Sequence, residues 1–179
     1  MKIDVEAAVQ DFPREKLIEM MRDAAKNWLA HDGLWFLAVE AGSDMPTAIG
    51  YDRDAWERFS VVEARRIMNR HGIEPGGGLK ALEKALTFRL YSWINEQTLE
   101  WRDDSLVIYV NTCRVQHART RDGRPPFPCK EVGIVEYDRF ARTIDPRIET
   151  RCLTCPPDDP PESHWCAWEF RLQDEVQAV

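Results

Sequence analysis

Between Pro13 and about Ala30 the apolar residues Leu17, Met20, Met21, Ala24, Ala25, Trp28 and Leu29 recur at three- and four-residue steps. That spacing predicts a helix with one buried face. Gly33 reads as a break, and the run Leu34 to Val39, apolar on all sides, fits a fully buried helix or a short strand, with helix favoured because "AVEAG" continues it. "SDMPTAIGYD" reads as a connecting loop, with Asp52 capping a further helix to Arg70 that carries Trp56, Phe59, Val62, Ile67 and Met68. "HGIEPGGG" ends that helix. Its three glycines lack the Lys-Ser/Thr of a phosphate loop and the spacing of a dinucleotide fingerprint, and predict a hinge or linker. Leu79, Leu82, Leu86, Leu90 and Trp93 form the next helical stripe.

Beyond about Ile94 the period changes. "QTLEWRDDSLVIYVN" predicts two strands joined at Arg102–Ser105. "CRVQHARTR" and "CKEVGIVEYDRFART" predict helices, the latter with Val132, Val135 and Phe140 inside. Arg147–Leu153 and Trp165–Leu172 predict strands, the second with Cys166, Trp168 and Phe170 on one face. The chain thus divides into a helical part, 1–93, and an α+β part, 94–179, expected to form one domain, with "DEVQAV" expected to fray.

The length of 179 residues suffices for a real core without cross-links. A net charge of −7 with scattered acids argues against a nucleic-acid surface. The basic run Arg114 to Arg124 reads as a solvated face. No stretch approaches the ~20 apolar residues of a membrane span, and the first residues lack the pattern of a signal peptide. The expected compartment is the cytosol, where thiols stay reduced; five cysteines, an odd number, also fit a full disulfide set poorly.

Three of those five cysteines fall in "RCLTCPPDDPPESHWC". Cys152 and Cys155 have the C-x2-C spacing that turns two thiolates onto one ion. With Cys166 and the upstream Cys129 they make a candidate four-thiolate zinc site, closed and structural. The same four suit an iron–sulfur cluster. A redox pair fits less well because Pro156 and Pro157 follow Cys155. Ordinary buried thiols are the plain alternative.

The C-terminal half resembles the 4-vinyl reductase-type small-molecule-binding domain. Cys129, Cys155 and Cys166 match its metal-site cysteines, and Cys152 stands where that family usually has a glutamate. The complete chain is similar to a bacterial family of L-2-amino-thiazoline-4-carboxylic acid hydrolase-like proteins. The likeness rests on "LWFLAVE", "EARRI", "CRVQHAR", "PPFPCKEVGIVEY", "FARTIDPRIETRC", "CPPD" and "CAWEF". These resemblances imply an α+β fold with an antiparallel sheet, helices on one side, a structural zinc and a separate apolar ligand pocket. They also imply a homodimer, and the second name implies opening of a thiazoline ring.

Cys113, at the head of "CRVQHAR", is the remaining cysteine. A thiol at a helix N-terminus can have a lowered pKa, and His117 lies one turn on, so the two form a candidate nucleophile–base pair. Arg114 and Arg121 are candidate clamps for a substrate carboxylate. Glu131, Glu136 and Glu149 are general-base candidates if buried. His31 and Asp32 flank the apolar run and can line a pocket, and Trp35, Trp56, Trp93 and Arg114 are candidate ligand contacts. Three expectations follow: a zinc-stapled protein binding a small apolar or aromatic molecule; a hydrolase of a small cyclic amidine or amide using Cys113 and His117; or an iron–sulfur protein.

Overall fold

The computed structural model describes residues 2–173; "DEVQAV", 174–179, lies outside the described residues. A short α1 (Val5–Val9) leads into two long helices, α2 (Arg14–Gly42) and α3 (Met45–His71). Gly33 does not break α2, which runs through it as one helix. The face expected to be buried is covered only in part. Ala25 is buried and Trp28 and Leu29 are half-buried, whereas Leu17, Met20 and Met21 are exposed. Helix α3 also starts earlier than expected. Asp44, not Asp52, caps it, accepting the Thr47 N–H at 2.8 Å, and Pro46 sits in the first turn, where its missing N–H costs nothing. Asp52 is thereby left inside the helix. Gly72, at φ +58°, ends α3 in the left-handed conformation.

The glycine run is an anchor rather than a hinge. The Gly76 N–H donates to the Ile144 carbonyl at 2.9 Å. The Gly78 N–H donates to the fully buried Asp145 carboxylate at 2.9 Å. Helix α4 (Gly78–Thr87) follows, then a 3-10 turn over Leu90–Trp93. Strands β1 (Glu96–Arg102) and β2 (Ser105–Thr112) form the expected hairpin, with Asp103 at φ +43° in the turn. Helices α5 (Arg114–Arg121) and α6 (Lys130–Ile144) precede β3 (Ile148–Thr154) and β4 (Cys166–Leu172). The sheet is antiparallel throughout, in the order β1-β2-β4-β3. The architecture is α+β.

Alternation along β2 and β4 puts Leu106, Ile108, Trp168 and Phe170 on one face. There they meet Ile67 and Met68 of α3, Leu82 and Leu86 of α4, and Phe140 and Ile144 of α6. Residues of the predicted parts 1–93 and 94–179 therefore share one core. Gly133 is where α6 comes closest to the sheet. A Cβ there would fall 2.5 Å from Cζ2 of Trp168, so only hydrogen fits. A second cluster of aromatic side chains, including Trp28, Trp56, Phe59 and Phe127, packs between α2, α3 and the segment before α6.

Candidate metal and ligand site

Four cysteines distant in sequence meet at one end of α6. Cys129 occupies the position that caps α6, where the free N–H groups make the field positive. Cys166 opens β4 on its helix-facing side, continuing the row of Trp168 and Phe170. Cys152 and Cys155 are three apart, a spacing that points side chains to opposite faces of a regular strand. A bulge between Cys152 and Thr154 breaks that alternation, and the chain turns after Thr154, so both thiols reach the same side. Asp158 fixes the turn. It accepts the Cys155 N–H at 3.3 Å and pairs with Lys130 at 2.8 Å.

Cys155, 1% exposed, is the centre of the group. Its Sγ lies 3.6 Å from that of Cys129 and also meets the thiols of Cys152 and Cys166. Hydrogen bonding among these sulfurs, and then burial, pushes the Cys155 thiol up, whereas its bond to Cys155 pulls Cys152 down. All five cysteines are free thiols. Among the described residues no group of three or more His, Cys, Asp or Glu forms a ready metal cage. The surroundings nevertheless favour negative sulfur. Gln116 Nε2 points at Cys129 Sγ from 3.6 Å, and the Lys130 ammonium lies close enough to Cys152 and Cys155 for its own pKa to be raised, after the larger effect of Asp158.

Beside the thiols is a cavity of about 460 Å³, within the usual range of small-molecule sites. Cys129, Cys155 and Cys166 contribute to one wall, and Phe36, Trp56 and Tyr91 are among its aromatic lining. The Trp56 and Tyr91 rings are stacked at 5.6 Å.

A family model described as a family of unknown function, DUF6125, matches residues 10–172. The chain belongs to that family. No curated protein and no solved structure matches it. Among the described residues no helix is long and apolar enough to cross a membrane.

In this DUF6125 member the candidate ligand contacts separate. Trp56 and Arg114 line the cavity. Trp35 does not: the inward face of α2 is set by Asp32, Gly33, Phe36 and Leu37, and Trp35 is turned to solvent, 64% exposed. Trp93 ends the 3-10 turn and also lies off the cavity wall, which Tyr91 reaches instead. Tyr91, Phe127 and Trp168 had no helical stripe or paired spacing to mark them as cavity residues. Asp32 lines the cavity, whereas His31 is exposed.

Cys113 and His117 are not brought together as a working pair. Cys113 faces the cavity, and burial pushes its thiol up to about 12, the reverse of the lowering expected at a helix N-terminus. His117 is exposed, with its ring 6.4 Å from that of Trp165, and no hydrogen bond joins it to the thiol. Of the glutamates, Glu136 is buried and lines the cavity, while Glu131 is exposed and Glu149 is engaged by Gln173 at 2.7 Å.

Asp52, half-buried on the cavity wall, is pushed up to about 7 by burial, then by the neighbouring charges of Asp32 and Glu136. Its folded pKa thus stands above its unfolded value near 4. The native state holds a proton that the unfolded chain has released, so stability should fall as pH rises from about 4 to about 7 and level off beyond. The loss attributable to this group is up to about 2–4 kcal/mol. Asp52→Asn should remove most of that decline. Melting curves should show the variant above the wild type at pH 8 and level with it near pH 4.

Proposed function

We propose that this protein is a small-molecule-binding protein whose cavity is braced by one zinc ion held by Cys129, Cys152, Cys155 and Cys166. The observation that carries the reading is the meeting of four thiols from three parts of the chain, three of them (Cys129, Cys155 and Cys166) on the wall of an aromatic cavity. Zinc–sulfur bonds of about 2.3 Å place the corners of a tetrahedron about 3.8 Å apart. The 3.6 Å between Cys129 and Cys155 is close to that edge, so one shared ion needs only small side-chain shifts. A four-iron cluster, in which each thiolate binds a different iron, needs its sulfurs further apart. The α6 N-terminus, Gln116 and Lys130 supply the outer donors and positive field that a thiolate-rich centre requires.

Four thiolates fill the coordination of zinc, so the ion would tie α6 to β3 and β4 and leave no position for an activated water. A sensor, carrier or accessory role follows better than hydrolysis, because burial pushes the cavity thiol Cys113 up and no hydrogen bond joins it to His117. The likeness to 4-vinyl reductase-type domains supports the same reading. Protein purified without chelator should contain one zinc per chain and no visible absorption, and Cys113→Ser should keep that zinc. Iron with brown colour, or no bound metal, would refute the assignment.

A further inference from the structure

The cavity is apolar in most of its lining, yet four carboxylates line it: Asp122, exposed and paired with Arg121, and three from three helices, Asp32 of α2, Asp52 of α3 and Glu136 of α6. The last three are close enough to act on one another. The charges of Asp32 and Glu136 both bear on Asp52, and those of all three bear on Tyr91, which lines the same cavity. Burying one unpaired carboxylate costs several kcal/mol or forces it to keep its proton. Glu136 has a share in Arg89, which leaves Asp32 and Asp52 in need of a partner.

No cation of the protein fills that need. Arg89, the buried guanidinium nearby, is shared between Glu63 and Glu136, at 2.9 and 2.8 Å. The contact with Glu136 is an ion contact without an aligned hydrogen bond: Oε1 of this carboxylate, only 8% exposed as a residue, has no hydrogen-bond donor. Arg119 also lines the cavity but is held by Glu40 through two bonds of 2.9 and 3.2 Å. His31, the one basic group acting on Asp32, is exposed. Lys26, Arg114, Arg121 and Arg124 also line the cavity and are exposed. Lys26 pairs with Asp23 and Arg121 with Asp122, and none of these four is among the charges acting on Asp32, Asp52 or Glu136. Arg89 thus serves Glu63 and Glu136, and neither it nor another buried cation acts on Asp32 or Asp52.

We propose that the cavity takes an organic cation, a protonated amine on an apolar or aromatic body, with the ammonium among Asp32, Asp52 and Glu136 and the body against Phe36, Trp56 and Tyr91. Aromatic faces attract such a cation as well as its apolar body. This rests on the small-molecule reading given above and specifies its ligand class.

The test compares three probes of one size on the zinc-loaded full chain by titration calorimetry: 2-phenylethylamine, 2-phenylethanol and 3-phenylpropionate. The amine should bind at least tenfold more tightly than the alcohol, and the acid most weakly. The isosteric Asp32→Asn/Asp52→Asn variant should bring the amine to the affinity of the alcohol and leave the alcohol unchanged. Because these changes relieve repulsion between acids, the variant should fold at least as well as the wild type. If the alcohol or the acid binds as tightly as the amine, or the variant keeps the amine preference, the cation assignment is overturned while the small-molecule reading stands. If none of the three binds, both fall.

Discussion

Replacing Arg89 with methionine is expected to cost about 3–5 kcal/mol of folding stability, the usual result of removing one partner from a buried ionic network. Arg89 is 2% exposed. Burial alone would lower its pKa, but Glu63 and Glu136 outweigh that effect and hold it above the ordinary value. Glu63 is fixed on both oxygens, by Arg89 Nε and by the Leu90 N–H, each at 2.9 Å. The guanidinium also lies 4.6 Å from the centre of the Phe140 ring and 5.3 Å from that of Tyr137. Methionine retains much of that packing and removes only the charge. Two buried carboxylates would then be left to ionise or to stay protonated. The melting temperature should fall by roughly 10–15 °C at pH 8. The deficit should shrink as pH falls toward 5, because burial raises Glu136 and protonation removes its stranded charge. Adding Glu63→Gln and Glu136→Gln to Arg89→Met should recover much of the loss. A deficit that does not change between pH 8 and pH 5 would show that lost packing, not stranded charge, is responsible.

The second large effect concerns Cys155. Cys155→Ser removes the sulfur that meets the other three and leaves a poor zinc ligand in a site 1% exposed. Structural zinc contributes about 10–16 kcal/mol of binding energy in isolated finger peptides. Here a core of α3, α4, α6 and the sheet exists without the metal, so a smaller share should appear as stability. The expected result is complete loss of zinc and a fall of at least about 10 °C in melting temperature. Cys113→Ser is the matched control, since Cys113 caps α5 and lines the cavity without joining the four-sulfur group. Equal loss of zinc in both variants would contradict the assignment.

Much of the fold was legible because its elements announce themselves locally. The change from helical to alternating period near Ile94, the Asp103–Asp104 turn and the apolar face of β4 all appear in the structure near their expected places. Helix starts were less legible. Asp44 and Asp52 are equally good caps in isolation, and Pro46 two residues after Asp44 was the signal that should have decided between them. Gly33 looked like a break because glycine weakens a helix, yet α2 continues across it with that position lining the cavity.

The cysteine group was legible through the C-x2-C pair, although the bulge that lets Cys152 and Cys155 reach the same side has no sequence mark. The carboxylate group was not. Asp32, Asp52 and Glu136 lie on three helices, and each alone looks like one more solvated acid among 31. Only their convergence on an apolar cavity distinguishes them. Glu63 and Arg89 were hidden for the same reason: a buried charge is recognised by its partner, and the partner is set by tertiary packing.

The most direct test of the account is X-ray absorption at the zinc edge on protein purified without chelator. Four sulfur neighbours at about 2.3 Å, with no nitrogen or oxygen in the first shell, is the predicted result. The Cys155→Ser variant should give no zinc signal above background. A shell with two or fewer sulfurs, or a wild-type protein without zinc, would contradict the claim that Cys129, Cys152, Cys155 and Cys166 hold one ion beside the cavity.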